Sequence, residues 1–448
     1  MAKRLNILKQ LICLAAIIAT MQPLGAAAQD AKGKKAAAED PGSVSTILTP
    51  ADKDARFDDK AVYEFDVKNT TDNEQVGKIS YLVSTETDKN LKADSQMIKV
   101  PKKSTGKFRW TIPQDKPGYY KVAFMVNVTD YDDTIRKVFG IKPELLTSTH
   151  NKPADYHDYW KAAKDELAKI PPNFKVTKMP KITTTGNRYT YAIEMQSIGN
   201  MTIRGWMTLP KTVDKGKKFA VLLGLPGYQV NLTPMGGMDE DLAIITLNVR
   251  GQGNSRGPVN TRRDEFIFYH IEDKDKYVMR GVIMDCVRCI DFICAQKELN
   301  HDKILVSGGS MGGFLAIATA ALDKRVALCS SQNPILCDVR SLPGEVDWPL
   351  NDINRYVAIQ PGLTLDKVFN TLDYFDTKNF ASEITCPILL GIGLLDPIAP
   401  PPNEYMAFNS ITTSKNKRIM VFKDLGHEVN TAYKDLEGRW MRDHFALF

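Results

Sequence analysis

Residues 303–322 read Lys-Ile-Leu-Val-Ser-Gly-Gly-Ser-Met-Gly-Gly-Phe-Leu-Ala-Ile-Ala-Thr-Ala-Ala-Leu. An apolar run meets the turn Gly308-Gly309-Ser310-Met311-Gly312, and a stretch of helix-favouring residues follows at once. G-x-S-x-G between a strand and a helix is a nucleophile elbow: the turn is so tight that only glycines can flank the serine, whose hydroxyl is lifted above the sheet. Gly and Ser are common, so the five residues alone also fit a glycine-rich packing or phosphate turn. The strand before and the helix after them favour the elbow.

Working outward, residues 219–224, 242–247, 304–307, 387–393 and 418–422 form short, continuous apolar runs. Such runs suit strands covered on both faces, as in a parallel sheet flanked by helices. Residues 277–293 pattern as an amphipathic helix between two of them. The alternation predicts an α/β, doubly wound, mostly parallel sheet over residues 150–448. Residues 46–145 differ in texture. Stretches 61–68, 78–83, 106–112 and 120–128 alternate apolar and polar residues and are separated by turn formers such as 114–118, which predicts a small all-β, Ig-like sandwich. Binding, spacing and dimerisation all remain open as its role. Trp110 and Tyr119-Tyr120 would offer platforms to sugars, although core packing explains them better.

The first 28 residues are a separate object. Lys3, Arg4 and Lys9 precede a short apolar stretch (11–19), and Ala26 and Ala28 stand at −3 and −1 of a cut before Gln29, the layout of a secretory signal peptide. Residues 29–45, rich in Ala, Lys, Gly and Asp, read as a flexible leader. Export to a periplasm or the exterior is expected, with no membrane insertion once the peptide is cut. The cut removes three positive charges and no acid, taking the formal charge from +6 to +3. Neither value, with no dense Lys/Arg run, suggests nucleic-acid binding. Six of the seven cysteines remain after the cut, all in the C-terminal half. Cys286-x-x-Cys289 lacks a second Cys or His pair at zinc spacing, so buried thiols on a helix are expected rather than a metal site.

A serine hydroxyl needs a base, and this type of elbow takes its partners in the chain order Ser, acid, His. Of six histidines only His427 and His444 follow Ser310. His427, in Asp-Leu-Gly-His-Glu just past an apolar run, is expected at the C-terminal edge of the sheet, where such sites gather. Asp396 ends the run 387–395 and is stopped by Pro397; a turn-capping Asp before Pro is its alternative reading. Asp338, Asp373 and Asp376 are the rival acids. The oxyanion needs two backbone N–H donors. Met311, after the nucleophile, supplies one, and Tyr228, in the turn after residues 219–224, is the candidate for the other, with a plain turn as its alternative. The long excursion 333–385, with Trp348 and Tyr356, either covers the site or packs away from it.

These residues carry a resemblance. Arg250-Gly251-Gln252-Gly253, Gly308-Gly309-Ser310-Met311-Gly312-Gly313 and Gly426-His427-Glu428, in that order, resemble the signature motifs of carbohydrate esterase family 7 in the α/β-hydrolase superfamily, which holds acetyl xylan esterases and cephalosporin C deacetylases. Pro-Ile-Leu-Cys-Asp (334–338), Tyr-Phe-Asp (374–376) and 393–401 match as well, so the likeness runs over 154–448. It implies removal of acetyl or other short acyl groups from carbohydrates without metal or cofactor, with Ser310, Asp396 and His427 as triad and Tyr228 and Met311 as oxyanion donors. It makes Arg250, Gly251, Gln252 and Gly253 a support for the loops, and it implies a homo-oligomer, often a hexameric ring. The chain departs from the family pattern at Pro226, where His is usual, at Met311, where Gln is usual, and in its N-terminal β region. Backbone donors survive both substitutions, whereas the lining of the acyl pocket changes. A feruloyl-type or general esterase, a peptidase of the same fold, and a non-catalytic glycan-binding protein are the competing readings.

Overall fold

In the computed structural model of the chain, residues 42–447 are described, apart from 86–87, 212–215, 217, 258, 260, 343–345 and 347. The expected signal peptide and most of the expected leader lie outside them. The N-terminal β region comprises β1 (Val44–Pro50), β2 (Arg56–Phe57), β3 (Lys60–Asn69), β4 (Gln75–Ser84), β5 (Lys92–Val100), β6 (Ser104–Pro113), β7 (Gly118–Val128) and β8 (Tyr131–Ile141). Sheet β1-β3-β6 faces sheet β2-β8-β7-β4-β5. The alternation in β3 buries Ala61, Tyr63, Phe65 and Val67 while the residues between them point outward. The Tyr63 ring lies 4.8 Å from that of Phe124 across the sandwich. Trp110 is buried edge-on against Tyr81, and Tyr120 stacks on Phe139, so both belong to the core rather than to a sugar platform.

One boundary moves. The leader expected to run to residue 45 ends earlier, because Val44 is buried and pairs with Asn69 at the start of β1. β1 is short and exposed or half-buried after Val44, with Ile47 turned to solvent, and so lacks a clean apolar–polar alternation.

The C-terminal region begins with α1 (Tyr156–Ala168), then β9 (Lys175–Lys178), β10 (Arg188–Ser197), β11 (Met201–Pro210), β12 (Phe219–Leu225) and β13 (Leu242–Asn248). There follow α2 (Val278–Ala295), β14 (Leu299–Gly309), α3 (Met311–Leu322) and β15 (Leu328–Gln332). The excursion contributes α4 (Leu350–Ile359), α5 (Leu365–Leu372) and α6 (Thr377–Ala381); β16 (Ile388–Gly393), α7 (Pro401–Asn409), β17 (Lys417–Phe422) and α8 (Thr431–Phe445) complete the chain. The sheet order is β17-β16-β15-β14-β12-β13-β11-β10-β9. β13, β12, β14, β15, β16 and β17 are parallel, and β11, β10 and β9 add an antiparallel edge.

Every residue of β13 and β16 is buried, as expected of strands covered on both faces. α3 is buried from Met311 to Ala321 and α2 along most of its length. Each large apolar side chain so buried contributes roughly 1.5–3 kcal/mol. β12 lies between β13 and β14, so the chain leaves it first to one side and then to the other. That reversal opens a crevice at the strand C-termini, the usual ligand position in such sheets. Ser310 and the turn 226–228 both emerge there.

The two halves are tied together beside this edge. Arg56 Nη1 donates to Tyr405 Oη at 3.3 Å, the rings of Tyr119 and Tyr405 stand 5.5 Å apart, and Lys137 pairs with Asp424 at 2.6 Å. Tyr405 sits on α7, just after Asp396, and Asp424 precedes His427 by three residues. Among the described residues no helix is long and apolar enough to cross a membrane.

Candidate active site

Ser310 occupies φ 59°, ψ −122°, a backbone conformation that costs free energy for a residue with a side chain. Close approaches on both sides of the turn hold it there. A Cβ on Gly308 would lie 2.4 Å from the backbone of Gly312, and a Cβ on Gly312 would lie 2.5 Å from the Leu225 carbonyl oxygen. Gly312 therefore lets α3 press against the end of β12. That contact brings the Met311 N–H, which as the first of α3 has no intrahelical acceptor, alongside the turn carrying Tyr228.

The Ser310 Oγ is 2.8 Å from His427 Nε2, and His427 Nδ1 is 2.7 Å from Asp396 Oδ2. Asp396 Oδ1 accepts from the N–H groups of Ile398 and Ala399, both at 2.8 Å, so the turn-capping reading and the imidazole-orienting reading hold at once, one per oxygen. The Asp396 side chain is fully buried and that of His427 is 18% exposed, which leaves the ring open to an incoming group on one side. A buried carboxylate on Nδ1 favours the tautomer with the free lone pair on Nε2, facing the hydroxyl.

The rival residues are engaged elsewhere. Asp338 is buried against Lys378 at 2.6 Å and accepts from Ser148 at 2.5 Å. Burial works against its charge, but Lys378 and Ser148 outweigh it and hold its carboxyl below the usual range. Asp373 binds Arg340. Asp376 caps α6 and accepts from the N–H groups of Asp338 and Val339; burial raises its carboxyl to about 6. His444 bonds the Trp440 carbonyl and Asn416.

Tyr228 is held by its side chain. Its hydroxyl donates to the Arg263 carbonyl at 2.5 Å and accepts from Ile267 N–H at 3.1 Å, and its ring packs 4.7 Å from Trp348 and 5.9 Å from Phe266. Trp348 thus brings part of the excursion up to the turn that carries Tyr228, while Tyr356 stacks on Phe268 at 4.5 Å. Arg250 lies beneath. Its guanidinium makes bonds of 2.9 and 2.6 Å to the fully buried Asp285 of α2, and it also reaches Ser197 and the Ile198 carbonyl at the end of β10. Gly251 N–H donates to the Ser255 carbonyl, Gln252 Nε2 is 4.0 Å from the Met311 sulfur, and Gly253 (φ 50°) lies against Asn231 and Asn248.

Two residues that the sequence reading passed over hold the histidine loop. Gln332 Nε2 donates to the Glu428 carbonyl at 2.7 Å, and Asn333 Nδ2 to the same oxygen at 3.1 Å. The Gln332 carbonyl also accepts the Ser310 N–H at 2.8 Å. Two adjacent amides at the end of the buried strand β15 were the available signal. Glu404 of α7 is a third. It is fully buried, and neither carboxyl oxygen has a hydrogen-bond partner among the described residues. Burial first, and then the Asp396 carboxylate, push its carboxyl well above the usual range.

The six cysteines among the described residues are free, and burial pushes the Cys286 and Cys289 thiols upward. Among the described residues no group of three or more His, Cys, Asp and Glu side chains is arranged to hold a metal ion.

Comparison with known proteins extends the same picture. The family model for acetyl xylan esterase (AXE1) matches residues 144–444. The acetyl esterase Axe7A of Xylanibacter ruminicola is 30% identical over 317 residues, which cover 68% of this chain and 70% of that protein. Among solved structures, the acetyl xylan esterase of Paenibacillus sp. R4 is 26% identical with a TM-score of 0.60, over 67% of this chain and 98% of that one. Acetyl xylan esterase 1 of Thermoanaerobacterium sp. JW/SL YS485 is 26% identical with a TM-score of 0.59, over 67% and 97%. With its elbow, its crevice at the sheet reversal and these relatives, the chain belongs to the acetyl xylan esterase family, carbohydrate esterase family 7, and is a carboxylic-ester hydrolase.

Proposed function

We propose that the protein is an exported serine esterase that removes acetyl groups from acylated carbohydrates such as acetylated xylan or xylo-oligosaccharides. The observation that carries this reading is the hydrogen-bonded line from Ser310 through His427 to Asp396, at 2.8 and 2.7 Å. His427 Nε2 takes the hydroxyl proton as Ser310 Oγ attacks the ester carbonyl. The tetrahedral oxyanion accepts from the N–H groups of Met311 and Tyr228. Collapse breaks the bond to the sugar oxygen, which leaves with the proton from His427. Water, deprotonated by the same nitrogen, then attacks the acyl-Ser310 ester, and acetate departs as the proton returns to Ser310. Asp396 stabilises the imidazolium in both halves and stays ionised. Acetyl preference is supported by the similarity to an acetyl esterase and to acetyl xylan esterases, and by the Tyr228 and Trp348 rings packed beside the oxyanion turn.

The test is hydrolysis of p-nitrophenyl acetate, butyrate and a feruloyl ester, then of acetylated xylan, by wild type and Ser310→Ala. Fast acetate turnover that falls by about 10⁴ or more in the variant is expected. Activity surviving in the variant refutes the triad, and feruloyl turnover above acetate refutes the substrate class. Export is read from the basic, apolar and small-residue layout of residues 1–28. It is tested by the N-terminal residue of protein recovered from the periplasm or medium, expected to be Gln29.

A further inference from the structure

A cavity of about 450 Å³ opens between the N-terminal sandwich and the segment that carries Asp396. One wall is the outward face of β7 and β8, with Tyr119, Lys121 and Ala123 on β7 and Arg136 opposite Ala123 on β8. The other is Leu394–Pro397 with the prolines that start α7. Its lining is mainly aliphatic and proline. The charged groups among its lining residues are Lys121, Arg136, Lys137 and Asp396. Asp396 is consumed by His427, and Lys137 by Asp424. Arg136 is exposed at the rim and has no carboxylate partner among the described residues. It adjoins the reaction centre at two points, although Ser310, Met311, Tyr228 and His427 do not line it. Asp396 itself lines it, and so does Val346, two residues before the Trp348 that packs on Tyr228.

An apolar floor with two cations at its rim, Arg136 and Lys121, is the chemistry of a site for an organic anion, and such sites favour the seams between structural units. A pyranose presents apolar C–H faces to proline and tyrosine, and a carboxylate matches a guanidinium fork. We propose that this cleft is a binding subsite for a carbohydrate chain bearing a carboxylate, the uronic-acid-substituted part of a substrate whose acyl ester lies at Ser310. The identification of the ligand as carbohydrate rests on the esterase reading above. The sandwich then supplies a wall of the substrate site and selects acidic chains.

The test uses the full chain carrying Ser310→Ala, titrated by calorimetry with a non-acetylated xylo-oligosaccharide bearing one uronic acid and with its carboxyl-reduced, neutral counterpart. The acid is expected to bind about tenfold more tightly, the scale of one charge-assisted hydrogen bond. Arg136→Ala is expected to abolish that preference and Arg136→Lys to restore part of it. Ala123→Trp, which fills the cleft beside Arg136, is expected to weaken both ligands. Equal binding of acid and neutral chains, or a preference that survives Arg136→Ala, overturns the subsite. Turnover of p-nitrophenyl acetate by protein with Ser310 intact reports on the esterase reading alone. Normal turnover with no acid preference sinks only the subsite, and an inert enzyme with an Arg136-dependent preference sinks only the esterase.

Discussion

Replacing Gly312 by alanine adds one methyl group at the point where α3 meets the end of β12. The new Cβ would lie 2.5 Å from the Leu225 oxygen, 3.1 Å from the Leu225 carbonyl carbon and 3.2 Å from that of Pro226. Ordinary contact begins near 3.4 Å, so backbone on one side must retreat by about 0.9 Å. Both partners are main chain, with no side-chain rotamer to absorb the change. The retreat separates the Met311 N–H from the turn bearing Tyr228. Oxyanion donors work within a few tenths of an ångström, and a 1 Å misplacement costs about 10²-fold in rate. Gly312→Ala is therefore expected to lower kcat for p-nitrophenyl acetate about 10²-fold with KM nearly unchanged, and to cost about 1–3 kcal/mol of stability as an overpacked contact. Steady-state kinetics with a denaturant melt reads both. A fluorophosphonate probe, which forms its own oxyanion at Ser310, should label the variant correspondingly slowly. Wild-type kcat in a folded Gly312→Ala protein would refute the assignment of the two donors.

Asp285→Ala leaves the Arg250 guanidinium buried and unpaired, and is expected to cost about 3–5 kcal/mol, read as a lowered denaturation midpoint. Glu404 has a folded-state pKa raised above its unfolded value, so the stability due to its proton is complete below the unfolded value near 4.5 and drains away as pH rises towards the folded one. Glu404→Gln, which cannot ionise, should thus melt higher than wild type at pH 8 and lose that advantage at pH 4; a wild type that melts higher at pH 8 contradicts the raised Glu404 value. Asp396→Asn keeps the acceptor for Ile398 and Ala399 but no longer stabilises the imidazolium, and kcat is expected to drop about 10⁴-fold with little change in melting temperature. Trp348→Ala withdraws the ring from Tyr228 and is expected to raise the butyrate-to-acetate rate ratio about tenfold.

How far this was legible depended on how local the signal was. The strands β12, β13, β14 and β16 announced themselves because burial on both faces leaves an unbroken apolar run; β17 carries a similar run but lies at the sheet edge, exposed to half-buried, so the expectation of cover on both faces fails there. β5 did not: its sequence, Lys-Ala-Asp-Ser-Gln-Met-Ile-Lys-Val, is mostly exposed at a sheet edge and carries few apolar residues to alternate. Ser310, Asp396 and His427 could be named because each follows a readable strand, although 117 positions separate the first from the last. Gln332, Asn333 and Glu404 could not. Their roles depend on which loop or carboxylate stands opposite, and that is fixed by sheet order rather than by neighbours in the chain. The seam between the sandwich and α7 was invisible for the same reason, since Arg56 and Tyr405 meet across 349 positions.

That seam changes what counts as a part. The sandwich touches the chain just after the acid, through Tyr405, and just before the base, through Asp424. Two of the three groups in the proton relay therefore stand on stretches whose resting shape is shared with a neighbour outside the catalytic fold. Grafting this sandwich onto another esterase, or trading it for a different module, would be less like changing an accessory than like replacing one half of a vice while the workpiece is still in it. In this lineage the sequence of α7 and the face of β7 and β8 are then expected to drift together.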